Sequence, residues 1–169
     1  MATRIHFSTR YGTHLVPLLR AVMMTTGDVL ELGLGVSSTP VLHALCQIQG
    51  RRLVTIENNR EWFSIGERYA SDFHQVLYVP EWADAPIERP WSVALVDHSP
   101  DERRAIELER LAPHTRILIA HDANKRYWKQ YGYDRVFPTF AHRVIYDRDD
   151  PATAILSNVV DLSDRGFGS

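Results

Sequence analysis

Between residues 28 and 120 the chain alternates short apolar runs with segments of helical period, and this alternation limits its fold more than any other feature. Asp28–Leu32 (DVLEL), Arg52–Glu57 (RLVTIE), Gln75–Val79, Ser92–Asp97 (SVALVD) and Arg116–Ala120 (RILIA) each read as a strand. Strands that alternate with helices imply a parallel sheet covered on both faces. In such a sheet ligands bind beyond the carboxyl ends of the strands. Candidate functional residues are therefore those that follow each strand.

The helical segments carry their own signals. Leu15, Leu18, Leu19 and Val22 have the spacing of an amphipathic helix over Tyr11–Met24, with Thr13 as its cap and Pro17 in the first turn. Thr39 and Pro40 form a cap-plus-first-turn signature for a helix that buries Val41, Leu42, Leu45 and Ile48 and stops at Gly50. Asn58 with Glu61 has capping spacing ahead of Trp62, Ile65, Tyr69 and Phe73. Three prolines make 80–91 a loop, and Ser99, Pro100 and Glu102 open a helix that runs to Leu111. Two extended stretches, 143–147 and 153–157, are joined by Asp149-Asp150-Pro151 closely enough for an antiparallel hairpin.

Two features after the first strands point to a ligand with a nucleoside part. Gly33 and Gly35 let the backbone turn sharply and approach a ligand without a Cβ in the way. Glu57 ends the second strand, where a carboxylate can accept hydrogen bonds from both hydroxyls of a ribose. Ser38 stands where a dinucleotide fingerprint places its third glycine, which disfavours a nicotinamide-dependent enzyme.

On these residues the chain resembles the class I S-adenosylmethionine-dependent methyltransferases. ELGLGVSS is similar to their first motif, with Glu31 as the acid before the Gly-x-Gly turn; VTIEN resembles the second and VALVDH the fourth. The resemblance implies an α/β, Rossmann-like methyltransferase fold: a mostly parallel seven-stranded sheet, a C-terminal antiparallel hairpin and helices on both faces. It also implies S-adenosylmethionine as cofactor. Gly33 and Gly35 would then face its methionine portion and Glu57 would hold its ribose, with Glu31, Ser37 and Asn58 as further cofactor-binding residues. The loop Glu81-Trp82-Ala83-Asp84 would flank the adenine, and Asp97 would reach the cofactor from the fourth strand. Trp82 has an alternative place as a plug of the core.

Asp97 and His98 follow the fourth strand; His121 and Asp122 follow the fifth. Two carboxylates and two imidazoles at neighbouring strand ends make these four the catalytic candidates. An imidazole is the side chain suited to take a proton from an acceptor near neutral pH, so His98 or His121 is the candidate general base. A second reading comes from small-molecule O-methyltransferases of the catechol type, where carboxylates here hold magnesium. Asp97 and Asp122 match that pattern, but Ala123 displaces Asn124 by one place and no lysine follows Asp97. The metal ligands are left unassigned.

The remaining expectations are coarse. At 169 residues the chain is expected to be one domain, with a helical segment over 1–24, a core over 25–162 and a tail over 163–169. Cys46 is the single cysteine, which excludes an internal disulfide and a cysteine-based zinc site. The absence of a signal-like start and of a long apolar run leads to an expected cytoplasmic protein with no membrane partner. Basic and aromatic residues interleave over 125–143, suiting a substrate wall, single-stranded nucleic acid or simply a covering layer. A formal charge of −2 makes nucleic acid an unlikely partner in this reading. The expected function is methylation of an oxygen on a small-molecule or sugar-like acceptor. The alternative is a non-catalytic cofactor-binding module or partner subunit. The short chain has little material for a substrate cap, so a homodimer is one way to complete the pocket.

Overall fold

Seven strands form one sheet in a computed structural model that describes residues 9–167. They are β1 (Val29–Leu32), β2 (Leu53–Glu57), β3 (His74–Tyr78), β4 (Trp91–Val96), β5 (Thr115–Ala120), β6 (His142–Tyr146) and β7 (Thr153–Ser157). Their order is β3-β2-β1-β4-β5-β7-β6. The first five are parallel, and β7 runs antiparallel between β5 and β6. The strand order reverses between β1 and β4, and it is there that an open sheet leaves a crevice for ligands. The Rossmann-like expectation holds, including the closing hairpin.

Alternation along the strands divides the core into two layers. Val29, Val93, Leu95, Ile117 and Ile119 face one side and pack with Leu18, Ala21 and Val22 of α1 (Leu15–Met24) and with Leu42 and Cys46 of α2 (Ser38–Gln49). Leu30, Leu32, Ala94, Val96, Leu118 and Ala120 face the other side. There they meet Ala105, Leu108 and Leu111 of α4 (Arg104–Leu111) and Tyr133 and Val136 of α6 (Tyr133–Val136). α3 (Arg60–Gly66) follows β2, and α5 (Trp128–Tyr131) precedes α6. Arg51 ties down the amino end of the sheet through the carbonyls of Gly27 (2.6 Å) and Val22 (2.7 Å) and the hydroxyl of Ser92 (2.5 Å). This leaves the opposite, carboxyl end for a site.

Several helix starts differ from expectation, each for a local reason. α1 begins two residues after Thr13, whose hydroxyl is drawn to Arg10 O and to His121 instead of capping; a 3-10 turn, Thr9–Gly12, precedes it. α3 is capped by Asn59, not Asn58: its Oδ1 accepts from the N–H groups of Glu61 (2.8 Å) and Trp62 (3.2 Å). α4 starts at Arg104 after a 3-10 turn over Asp101–Arg103. Gly50 ends α2 in the left-handed conformation, as its position predicts. The expected tail is partly core, since Phe167 is buried with Leu18 and Leu162.

Candidate functional site

The turn after β1 is possible only with glycine. Gly33 has φ +91°, and a Cβ there would lie 2.6 Å from the carbonyl oxygen of Asp97 and 2.7 Å from the Cα of His98. The β1 and β4 turns therefore touch backbone to backbone at the strand-order reversal. Beyond Gly33 the turn is held by a buried acid. The Gly35 N–H donates to Thr39 Oγ1 (3.0 Å), and that hydroxyl donates to Glu31 Oε2 (2.9 Å). Thr55 donates to the same oxygen at 2.7 Å. Glu31 is fully buried and does not line the cavity described below, so its place is beneath the turn rather than against a ligand.

Burial pushes the Glu31 carboxyl up to about 7, against the hydroxyl hydrogen bonds that favour its charge. A carboxyl raised in the folded state contributes stability below its unfolded value, and that contribution is lost as pH rises through about 7. Comparing wild type with Glu31→Gln by urea denaturation should therefore show the variant gaining on wild type as pH rises from about 4.5 to 8. The gain is expected to reach about 3 kcal/mol. A pH-independent difference would assign Glu31 an ordinary titration.

Glu57, at the end of β2, fastens the same turn from the other side. Its Oε2 accepts from Leu34 N–H (2.8 Å), and its Oε1 accepts from Asn58 N–H (2.9 Å) and Asn59 N–H (2.7 Å). Burial raises its pKa while these three N–H donors oppose the rise. Two carboxylate oxygens offer about four acceptor positions, so one is left for a ligand hydroxyl.

Across the crevice, Asp97 and His121 form a pair. His121 Nδ1 lies 3.1 Å from Asp97 Oδ1, and its Nε2 lies 2.8 Å from Thr13 Oγ1. Arg104 is the hub between the β4 and β5 turns. It reaches Asp97 Oδ1 at 3.1 Å, Asp122 Oδ2 at 2.8 Å and Asp101 Oδ1 at 3.4 Å, and donates to the carbonyl of His98 at 2.8 Å. Burial would raise the pKa of Asp97, but His121 and Arg104 hold it well below the usual carboxylate range. Burial would lower that of His121; the Asp97 and Asp122 carboxylates outweigh it and raise the value. Asp122 adopts φ +55°, in the left-handed region that Asp enters more readily than most non-glycine residues, and its carboxylate accepts from Arg104.

A cavity of about 720 Å³ opens between these two walls. Gly33, Gly35, Glu57, Asn58, Asp97, His98, His121 and Asp122 all line it. Glu31, Ser37 and Trp82 do not. Trp82 is a core plug: it is 1% exposed, donates its indole N–H to Ser99 O (2.8 Å) and lies against the His98 ring with centroids 4.2 Å apart. The expectation that it flanks a ligand is corrected, because the 3-10 turn at Trp82–Asp84 directs the ring inward. Ser37 sits at the amino end of α2 with no capping bond. His98 lines the cavity but is only 1% exposed, with its Nε2 3.3 Å from buried Glu107 Oε2.

The magnesium reading fails on chemistry. Arg104 already occupies the space between Asp97 and Asp122, and Asn124 turns away to Asp150 and to the N–H of Ala152. Arg104 escapes a sequence reading: only the structure places it at the first position of α4, where a cation opposes the macrodipole and is held by nearby anions. Trp62, Asn59 and Tyr127, which also line the cavity, carry no sequence signal of that place.

No protein-family model matches the chain, and no curated protein does. Solved structures do. The chain is similar to the human METTL16 catalytic domain in complex with MAT2A 3'UTR hairpin 1, with a TM-score of 0.65 at 10% identity over 94% of this chain and 75% of that one. It is similar to the N-terminal domain of human METTL16 in complex with SAH, with a TM-score of 0.64 at 11% identity, covering 93% and 73%. A methyltransferase from Pyrococcus furiosus matches with a TM-score of 0.60 at 12% identity, covering 88% and 84%. The chain has the class I methyltransferase fold.

One expectation is overturned by these likenesses. A formal charge of −2 disfavours nucleic acid, yet a protein of this fold is solved with a 3'UTR hairpin bound. Net charge is a sum over the whole surface, whereas phosphate contacts depend on local groups. Over 125–143 the rings of Tyr131, Tyr133, Phe137 and Phe140 are buried, while Lys125, Arg126, Lys129, Arg135 and Arg143 face solvent. No helix among the described residues is long and apolar enough to cross a membrane.

Proposed function

We propose that the protein transfers the methyl group of S-adenosylmethionine to a hydroxyl of a small-molecule or sugar-like acceptor, with His121 taking the acceptor's proton. The observation that carries this reading is one cavity with two unlike walls: the Gly33–Glu57 side suits the cofactor, the Asp97–His121 side suits proton transfer. The residues fit the cofactor at two points. Gly33 and Gly35 line the cavity and place no side chain between the turn and a ligand, and Glu57 keeps one acceptor position for a ribose hydroxyl.

Bound S-adenosylmethionine supplies an electrophilic methyl carbon on sulfur. With the cofactor held at Gly33, Gly35 and Glu57, an acceptor oxygen taking that methyl group would have to give up its proton, and His121 lines the same cavity to receive it. Asp97 holds the His121 Nδ1–H, which leaves the Nε2 lone pair for the acceptor's proton. Thr13 Oγ1 occupies the position an acceptor hydroxyl would take at Nε2. A positioned base of this kind supplies about 100- to 10,000-fold in rate. A nucleic-acid hydroxyl or amine is the second reading, favoured by the hairpin-bound structure of the same fold.

Calorimetric titration with S-adenosylmethionine and S-adenosylhomocysteine tests the cofactor. Glu57→Ala is expected to weaken binding by about 1–3 kcal/mol, the range for a lost charge-assisted hydrogen bond. No heat with wild type at millimolar ligand removes the proposal. Transfer of a labelled methyl group to sugars and phenols, or instead to RNA, decides between the acceptors. Tight cofactor binding with neither would leave a non-catalytic binding module.

A further inference from the structure

His14 is not used by the reaction proposed above, and its surroundings are unusual. It is 1% exposed, and neither ring nitrogen has a hydrogen-bond partner. A buried imidazole without partners is costly, because its N–H loses water and gains nothing in return. It is nevertheless held against polar groups: its Nδ1 lies 3.8 Å from Asp97 Oδ2, and its ring meets the edge of His121 at a centroid distance of 4.6 Å.

The geometry points to a divalent transition-metal site formed by His14, Asp97 and His121. Donor atoms of the three lie within 4.8 Å of one another, a spread that modest side-chain rotation closes around an ion. The Nδ1 atoms of both imidazoles face the Asp97 carboxylate. Two imidazoles and one carboxylate favour zinc, cobalt, nickel or iron over magnesium. The outer features are those a metal centre uses. Thr13 Oγ1 is 2.8 Å from His121 Nε2 and fixes that ring, and Arg104 holds Asp97 Oδ1 at 3.1 Å while Oδ2 faces His14. Arg104 does not exclude the ion by charge, because Asp101 and Asp122 pair with it as well. Asp97 and His121 line the cavity, which gives the ion an entry path.

Binding has a consequence for the reaction, and this part rests on the proposed role of His121. An ion on Nδ1 forces the ring proton onto Nε2, the nitrogen that must accept a proton during methyl transfer. The metal-bound state is therefore inactive, and zinc acts as an inhibitor that a chelator relieves.

The test uses the full chain, treated with chelator and titrated with zinc calorimetrically and with cobalt by visible absorption, without cofactor. One ion per chain is expected, with the ligand-field bands of a nitrogen–oxygen site. His14→Gln should bind at least tenfold more weakly while keeping the wild-type circular dichroism and wild-type affinity for S-adenosylhomocysteine. Absence of stoichiometric binding to wild type, or an unchanged titration in a folded His14→Gln, overturns the site. If that variant does not fold, nitrogen NMR of wild type decides: zinc must shift the Nδ1 signals of His14 and His121, and unshifted signals overturn it. Failure of the chelator-treated protein to methylate any acceptor would remove the methyl-transfer reading and leave the metal titration standing.

Discussion

His121→Asn is expected to lower kcat for methyl transfer by about 100- to 10,000-fold, with cofactor affinity within about twofold of wild type. Asparagine keeps a polar group near Thr13 and Asp97 but cannot take a proton at neutral pH. Glu57 is held by the N–H groups of Leu34, Asn58 and Asn59 and shares no hydrogen bond with His121, which is why binding should survive. The pH profile offers a second check on the same group. Burial alone would lower the His121 pKa, but Asp97 and Asp122 raise it above the ordinary value of about 6.5. Activity should therefore fall tenfold per pH unit on an acid limb that begins above that value. In Asp97→Asn the attraction is lost, burial prevails, and the limb moves to lower pH. Equal kcat for His121→Asn and wild type would remove His121 from the chemistry.

Arg104→Met should destabilise the fold by about 3–5 kcal/mol at neutral pH, the range for removing one partner of a buried ion pair. Arg104 is 4% exposed, and its loss takes a partner from three carboxylates, leaving Asp97 with His121 as its hydrogen-bond partner, and frees the carbonyl of His98. The sign of the pH dependence follows from Asp97, whose pKa is held low in the folded state: burial opposes this, but His121 and Arg104 prevail. A depressed carboxyl contributes stability above its unfolded value of about 3.8, and that contribution is lost as pH falls through the folded value. The difference between Arg104→Met and wild type, read from urea denaturation, should thus be largest near neutrality and shrink in acid. A loss below about 1 kcal/mol at neutral pH would mean that the three carboxylates find other partners. Arg104→Lys should recover only part of the loss, since an ammonium cannot reproduce the planar fork that spans Asp97 and Asp122.

Both predictions concern residues of unequal visibility. His121 could be named from the chain because it follows an apolar strand, and strand ends are where this architecture places ligands. Arg104 could not, because nothing in a linear reading pairs it with carboxylates on two separate turns. Trp82 was misplaced for a related reason. Its neighbours Pro80 and Pro86 mark a loop, but only packing decides which way a ring on a loop points, and here it points at His98. Helix starts moved by one or a few residues because capping groups compete. Thr13 was the apparent cap of α1, yet its hydroxyl is claimed by a histidine 108 residues away. The overall-charge argument against nucleic acid failed because it averages over a surface on which buried rings and exposed cations are sorted by packing.

The sequence by itself determined the alternating strands and helices, the closing hairpin, the glycine turn and the acid at the end of β2. These are local properties: period-two and period-3.6 patterns, and a backbone angle that glycine alone accepts without strain. Only the tertiary structure decided that Glu31 lies beneath the turn, that Arg104 joins two loops, and that His14 closes on Asp97 and His121. Those are contacts between distant segments, set by how the two core layers pack on the sheet, and no short-range pattern encodes them.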